Sequence, residues 1–201
     1  MLPIITISRQ ACSGGEALCR LLSDKLNIEY LDKELITLAA KESGVSEEYF
    51  AKADEIATDS FLYSMVMGQF SFSGTGLPID TPVNDKLFIA QNKIINKRAD
   101  EGPCIILGRC GNYILKDRSN ILKIFIYAKK EDRMKIAVQR GLCTSDKAFD
   151  YITKMDKRRA NYYNFYCNEN WDDMSNYDLV INTSTFSVEQ IANIVVSSVQ
   201  H

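Results

Sequence analysis

The chain has 201 residues, of which 46% are hydrophobic and 25% charged, a composition typical of a globular protein with one core and room for a small lid. The formal net charge of -2 lacks the positive balance that broad nucleic-acid binding requires. No apolar run approaches the length of a membrane span, and the N-terminal MLPIITIS has no basic region typical of a secretory signal. We therefore expect a cytoplasmic protein that binds neither membranes nor nucleic acids broadly.

Cysteine and histidine usage narrows the chemistry further. The six cysteines form no C-x-x-C pair, and several lie inside core-like segments, so we expect reduced thiols rather than disulfides. The single histidine is His201, the last residue. Chemistry that needs a histidine base or a histidine-rich metal site is therefore not expected.

The first element, Ile4–Leu22, combines a short apolar strand, a polar loop with two glycines and an amphipathic helix. This order builds a phosphate site, because the start of a helix offers unpaired N–H groups and a partial positive charge. The regular P-loop pattern G-x-x-x-x-G-K-[ST] is not present, since only Gly14 fits it. The candidate ligands for donor phosphates are Ser8, Arg9, Gln10, Ser13, Gly14, Gly15 and Glu16, although a first-turn helix acid is the simpler interpretation of Glu16.

The later elements follow in alternation. Helices are predicted from Asp32 to about Ser43, from Ser46 to near Gly68, over Asn84–Glu101, over Lys130–Arg140, from Ser145 onward and from Ser187 onward. Strands are predicted at Glu29–Leu31, Cys104–Leu107, Leu122–Tyr127 and Tyr177–Ile181. Ser187 to Gln190 fits a capping box, and the glycine-rich and proline-rich stretch Gly68–Pro82 is predicted to be a loop.

Strands that alternate with helices predict an α/β fold with three layers around a five-stranded parallel sheet. In such a sheet, ligands bind at the carboxyl ends of the strands. The segment from Ser8 to Gly15, Asp32 and the pair Gly108-Arg109 all follow strands, so we expect them to meet at one edge.

Several charged side chains could serve phosphoryl transfer, which needs cations, a metal held by oxygen ligands and a closing lid. The arginine candidates are Arg9, Arg109, Arg140, Arg158 and Arg159. For the run from Lys157 to Arg159, a solvated helix face is an equal alternative, and Asp156 could simply pair with Arg159. Asp32 could hold Mg²⁺ or act as a helix N-cap. Trp171 and the tyrosines at positions 162, 163 and 166 are expected to be packing residues.

The segments ITISRQACSGG, YLDKELI, IILGR, KKEDR and YDLVINTS together resemble the cytidylate kinase-like family, a branch of the nucleoside monophosphate kinases with the P-loop NTPase fold. The resemblance covers nearly the whole chain. It implies one domain (1–201) with a core (1–32, 102–139 and 177–201), a helical insertion that binds the monophosphate (33–101) and a lid-like region (140–176). It also implies ATP and Mg²⁺ as cofactors and a small nucleotide as substrate.

Family residues carry over to particular positions, and some are missing. Asp32, Gly108 and Arg109 match the family's substrate site, and Asp156 with Arg159 matches the Asp-x-x-Arg element of its lid. The phosphate-binding lysine, the metal-holding threonine, the aspartate before Gly-Arg and a substrate arginine correspond here to Gly15, Ala17, Leu107 and Leu38. Arg9 is our hypothesis for the cation that replaces the lysine.

Two interpretations of the function follow. In the first, an enzyme transfers phosphate from ATP to a nucleoside monophosphate or a related small acceptor, with Arg140, Arg158 and Arg159 closing over the transfer and Asp32 as the metal ligand. In the second, a degenerate kinase fold binds a nucleotide or phosphate as a sensor without turnover. The base, the acceptor and the oligomeric state, including a homodimer, stay open.

Overall fold

The computed structural model describes residues 3–32 and 83–199. The two helices predicted between Asp32 and Gly68, the Gly68–Pro82 loop and Leu38 lie outside the described residues. The chain falls into two compact units, Met1–Leu35 with Ile95–His201, and Ile36–Ile94. The account below concerns the first unit. The division into core, insertion and lid stays a prediction.

Strands and helices alternate along the described chain. The elements are β1 Ile4–Arg9, α1 Gly15–Leu26, β2 Tyr30–Leu31, α2 Val83–Glu101, β3 Ile105–Leu107, α3 Gly111–Ile114, β4 Ile121–Tyr127, α4 Lys130–Gln139, α5 Ala148–Cys167, β5 Leu179–Asn182 and α6 Val188–Val199. Short 3-10 turns lie at Ser145–Lys147, just before α5, and at Met174–Asn176. Within residues 3–32 and 83–199, no helix has the length and apolarity needed to cross a bilayer.

All five strands are parallel and lie in the order β2-β3-β1-β4-β5. The predicted five-stranded parallel sheet is therefore confirmed. The last strand begins at Leu179 rather than at Tyr177, because Tyr177 ends the preceding 3-10 turn and its hydroxyl donates to the Trp171 carbonyl at 2.8 Å. The short helix α3 was not predicted.

Helices cover both faces of the sheet. On one face, α1 and α6 pack against the central strands through a buried apolar cluster that includes Leu18, Leu22, Ile191 and Val195. On the other face, Phe125 packs edge-on against Trp171 with ring centroids 5.2 Å apart, and a Cβ at Gly111 of α3 would contact Ile106 and Thr6. Trp171 is therefore a packing residue, as expected, and the three-layer arrangement is confirmed.

The start of α6 has the predicted capping box. The backbone N–H of Gln190 donates to the Ser187 hydroxyl at 3.2 Å, and the Ser187 N–H donates to the Gln190 side-chain oxygen at 2.9 Å. Two of the N–H groups that a helix start leaves without partners are thereby satisfied.

Replacing the capping hydroxyl should destabilise the fold measurably. We expect Ser187→Ala to lower the free energy of unfolding by about 1 kcal/mol, measured by chemical denaturation. Ser198→Ala on the same helix is the matched control, because its hydroxyl only donates back to the Ile194 carbonyl at 2.8 Å. An equal loss in both variants would contradict a specific role for the cap.

Candidate active site

The loop between β1 and α1, residues 10–14, is held in place by hydrogen bonds of its polar side chains and backbone. The Gln10 N–H donates to the Ile126 carbonyl at 3.0 Å, and the Gln10 side-chain oxygen accepts from the Ala128 N–H at 3.3 Å. The buried Ser13 hydroxyl lies 2.9 Å from the Gln10 carbonyl and 3.2 Å from the Ile126 carbonyl. The side chains of Gln10 and Ser13 therefore hold the loop against β4, and the backbone remains the part that faces a ligand.

The loop turns sharply into α1. Cys12 has φ +58° and Gly14 has φ +85°, and both values belong to the left-handed region. Gly14 precedes the first helical residue, Gly15, so the following N–H groups are those that a helix leaves without internal partners. Helix starts with this geometry favour anions, because their free N–H groups and the helix dipole attract negative charge.

The side chain of Arg9 crosses this site. A Cβ added at Gly15 would lie 2.8 Å from Arg9 Cγ, and a Cβ added at Gly108 would collide with Arg9 Nη1. The side chain therefore runs from the end of β1 across the start of α1 and ends at the turn that follows β3. Only glycine at positions 15 and 108 leaves space for this path.

Three arginines converge at this edge of the sheet. Burial lowers the pKa of Arg9 to about 9, and repulsion from Arg159 and Arg109 adds to the effect, while Cys19 and Asp32 oppose it. Burial likewise lowers the pKa of Arg159, whose Nη1 donates to the Arg9 carbonyl at 2.8 Å. Like charges this close are costly without an anion between them, so the cluster is suited to binding phosphate.

Helix α5 holds the loop through Asp156. One carboxylate oxygen of Asp156 accepts from the Ala11 N–H at 2.6 Å, and the other pairs with Arg133 of α4 at 2.6 Å. The Arg133 side chain is only 7% exposed, so the pair is shielded from water. The sequence analysis named Arg159 as a possible partner of Asp156. In the structure Asp156 pairs with Arg133, and Arg159 donates to the backbone carbonyl of Arg9.

The turn after β3 presents Arg109 in an unusual backbone conformation. Gly108, Arg109 and Cys110 have φ of +76°, +54° and +57°, three consecutive left-handed residues. The Gly108 N–H donates to the Ile7 carbonyl at 3.0 Å, which places the turn beside the end of β1. The Arg109 guanidinium lies over the Tyr162 ring at 5.2 Å from its centroid. Non-glycine residues in this region carry strain, which is typical of functional sites.

The remaining candidates are placed less centrally. Glu16 pairs with Arg20 at 2.8 Å and with Arg140 at 3.9 Å, so it also serves as the first-turn helix acid. Arg158 lies roughly 100° around α5 from Arg159 and is not among the charged groups that shift the pKa of Arg9. Ser8 is buried and lies beside Tyr177, where it opposes the rise that burial causes in the pKa of the Tyr177 hydroxyl, so it is part of the core.

Asp32 follows β2 directly and is the carboxylate that attracts Arg9. In residues 3–32 and 83–199 no group of three or more His, Cys, Asp or Glu side chains could hold a metal. Mg²⁺ is commonly held by one or two carboxylates together with substrate phosphates and water, and Asp32 beside the arginine cluster fits that pattern.

A cavity of about 630 Å³ borders the loop at Gln10 and is lined mostly by apolar groups, including Phe125, Trp171, Met174 and Val180. Gln10 and Asp156 border it, but Arg9, Arg109 and Arg159 do not line it. The three arginines therefore belong to a different part of the molecule from this cavity.

The sequence analysis did not single out Arg133, the partner of Asp156. Tyr162 was expected to be a packing residue, and it does pack against Tyr166, with ring centroids 4.8 Å apart. The spacing of Asp156, Arg159, Tyr163 and Cys167 at three or four residues places them along one side of α5, but it carries no signal for Arg133, which lies on α4. All six cysteines are free thiols.

The parallel sheet of order β2-β3-β1-β4-β5, with a glycine-containing loop between β1 and α1, defines a P-loop kinase fold. The chain belongs to the cytidylate kinase-like family, whose model matches residues 4–185. It is 28% identical to a cytidylate kinase of Pyrococcus horikoshii over 200 residues, covering 98% of this chain and 88% of that protein. The resemblance stated from the sequence motifs is thereby confirmed.

Solved structures agree on the fold. An uncharacterized protein from Eubacterium ventriosum superimposes with a TM-score of 0.72 at 25% identity, covering 98% of both chains. A shikimate kinase from Acinetobacter baumannii gives a TM-score of 0.51 at 12% identity, covering 98% of this chain and 93% of that one. The second likeness bears on the fold alone.

The route of Arg9 predicts a different outcome at two glycines with similar backbones. Gly108 and Gly141 have φ of +76° and +68°, but a Cβ at Gly141 meets nothing within 4 Å. We expect alanine at either position to cost about 1–2 kcal/mol through backbone strain, measured by chemical denaturation. Only Gly108→Ala, which displaces the Arg9 guanidinium, should weaken pyrophosphate binding, by roughly tenfold in calorimetric titration. Equal pyrophosphate affinity in the two variants would contradict the proposed route.

Proposed function

We propose that the protein transfers the terminal phosphoryl group of ATP to a nucleoside monophosphate, cytidylate-like, or to a related small phosphoacceptor. The observation that carries the proposal is the path of Arg9, which joins the loop before α1 to the turn that presents Arg109. A cation between these two places would contact a donor phosphate and an acceptor phosphate together.

The donor phosphates would lie at the start of α1. The amides of Ser13, Gly14 and Gly15 would face the anion, as backbone N–H groups do in phosphate loops. Arg9 would supply the positive charge that a lysine at position 15 supplies in ordinary members. A lysine at that position would collide with Arg9, since even a Cβ there lies 2.8 Å from Arg9 Cγ. The missing lysine and the buried arginine are therefore two aspects of the same arrangement.

The acceptor would be held at the turn after β3. Arg109 offers a planar guanidinium that can donate paired hydrogen bonds to a monophosphate. Gly108 leaves the space in which the guanidinium of Arg9 ends. Asp32, at the neighbouring strand end, would orient the acceptor and hold Mg²⁺. When bound, Mg²⁺ would neutralise charge on the donor phosphates.

Phosphoryl transfer itself needs positioning and charge stabilisation more than covalent chemistry from the protein. An oxygen of the acceptor phosphate forms a new bond to the terminal phosphorus of ATP, and the bond to the bridging oxygen breaks, so that ADP leaves. Arg9 and Arg159 would stabilise the charge that spreads over the transferring group. Arg140 and Arg158 remain candidates for closing over the transfer, while Asp156 would act through the Ala11 N–H by holding the loop.

A nucleotide or phosphate sensor without turnover is the second candidate. The observation that favours it is the first turn of α1, where position 17 is an exposed alanine with no hydroxyl for a metal. The neighbouring carboxylate of Glu16 is paired with Arg20 and Arg140. A site that binds phosphates but holds Mg²⁺ poorly would behave as a sensor.

Turnover with a panel of acceptors separates the two candidates. ADP release would be measured with ATP, Mg²⁺ and each of CMP, dCMP, UMP, AMP and GMP. We expect acceptor-dependent turnover whose kcat/KM falls roughly 100-fold or more in Arg109→Ala, because the acceptor loses its charge-assisted contact.

Arg98→Ala is the matched control, since Arg98 is a partly exposed arginine that pairs with Glu101 at 3.0 Å and with Glu29 at 3.8 Å. Its kcat/KM should stay within twofold of the parent protein. No turnover together with calorimetric ATP binding would favour the sensor. Neither turnover nor binding would contradict both candidates, and turnover that Arg109→Ala leaves unchanged would contradict the placement of the acceptor.

A further inference from the structure

Helix α5 contacts the turn Gly108–Asn112 at three successive points. The Arg109 guanidinium lies over the Tyr162 ring, 5.2 Å from the centroid, and the two side chains are hydrogen-bonded. Cys110 and Cys167 are buried beside each other, and the Cys110 thiol, together with burial, raises the pKa of Cys167. The side-chain amide of Asn112 donates to the Tyr163 hydroxyl at 2.9 Å. One side of α5 therefore contacts three of the five residues of the turn, Arg109, Cys110 and Asn112.

These contacts explain how a strained turn keeps its shape. Arg109 and Cys110 have left-handed backbones without being glycine, so the surrounding structure must hold them there. Tyr163 is 3% exposed and Cys110 and Cys167 are 4% and 2% exposed, so these two contacts are inside the core. They fix the backbone of the turn, but they do not fix where the long Arg109 side chain points.

The residue of α5 that contacts the Arg109 side chain is Tyr162. Its burial raises the pKa of the hydroxyl to about 12, and Arg109 opposes the rise, so the ring stays neutral with the cation beside it. A neutral aromatic face attracts a guanidinium without neutralising its charge, whereas a carboxylate in the same place would compete with a phosphate. The second Tyr162 contact is the Tyr166 ring at 4.8 Å, which supports it from the same helix.

We propose that Tyr162 is a positioning residue that aims the Arg109 guanidinium at the acceptor phosphate and leaves its charge available. The proposal rests on the proposed function for the identity of the acceptor, but the contact itself does not. Tyr162 touches no reacting group and acts only through Arg109.

The kinetic test compares Tyr162→Leu, Tyr162→Phe and the control Tyr113→Leu. Tyr113 lies on α3 beside the same turn, and its ring carries Lys116 at 4.0 Å instead of Arg109. We expect Tyr162→Leu to raise KM for the monophosphate roughly tenfold with KM for ATP within twofold, and Tyr162→Phe, which keeps the ring, to recover most of the loss. Tyr113→Leu should leave both values within twofold.

A double-mutant cycle excludes a merely structural role. In an Arg109→Ala background, Tyr162→Leu should cause no further loss in acceptor kcat/KM, because its effect passes through Arg109. An equal loss in both backgrounds, or a parallel rise in KM for ATP, would overturn the proposal.

A second readout is independent of turnover. The Arg109 Nε–H resonance, assigned by its loss in Arg109→Lys, should be shifted by the Tyr162 ring in ¹⁵N NMR spectra. Tyr162→Leu should move it toward the position of exposed arginines, and Tyr162→Phe should leave it shifted. If no monophosphate is turned over but this pattern holds, the proposed function fails and the contact stands; an unshifted resonance in the parent protein would overturn the inference itself.

Discussion

The arrangement of the site depends on one constraint, which is that a charged arginine side chain is enclosed between two glycines. Arg9 leaves the end of β1, passes Gly15 and ends at Gly108, and a Cβ at either glycine would occupy the space through which its side chain runs. Enclosing this cation beside Arg159 and Arg109 is costly, as the lowered pKa of Arg9 reflects. An anion between these side chains would offset the cost, and this is the physical basis for the phosphate site that we propose. The family's lysine position is filled by the neighbouring side chain, not left vacant.

Helix α5 connects the two halves of this site. Near the middle of α5, Asp156 accepts a hydrogen bond from the Ala11 N–H, and Arg159 donates one to the Arg9 carbonyl. These two bonds attach the loop before α1 to the helix. Farther along the same face, Tyr162 and Tyr163 contact Arg109 and Asn112 of the turn after β3. The loop and the turn, where we place the donor and the acceptor, are therefore both held by contacts with the same helix. The buried pair of Asp156 with Arg133 ties that element to α4.

Much of the fold could be predicted from the sequence, because apolar runs, caps and glycine-proline stops are local signals. The capping box at Ser187 and the buried strand before Gly108 are examples. Pairings between distant parts of the chain could not be predicted in the same way. Asp156 is three residues from Arg159, a spacing that favours an ion pair between them, but in the structure Asp156 bonds Arg133 of α4 and the Ala11 N–H of the loop. The left-handed backbone of Arg109 and Cys110 had no signal, since neither is glycine. The sequence supported only the hypothesis that Arg9 replaces the charge of the missing lysine. It did not predict the path of the Arg9 side chain, because the sequence alone does not show that this side chain fills the space beside Gly15.

The most direct test moves the cation from position 9 to position 15. Arg9→Ala removes the cation, Gly15→Lys introduces the family's lysine against Arg9, and the double variant gives that lysine the space Arg9 had occupied. Measured as kcat/KM for ATP with the best acceptor, each single change should lose roughly 100-fold or more, since a positioned cation stabilises the transition state by several kcal/mol. The double variant should recover at least about tenfold over either single variant, because the two changes act on the same space. A folded double variant no better than the product of the two losses, or full activity in Arg9→Ala, would contradict the claim that Arg9 replaces the lysine.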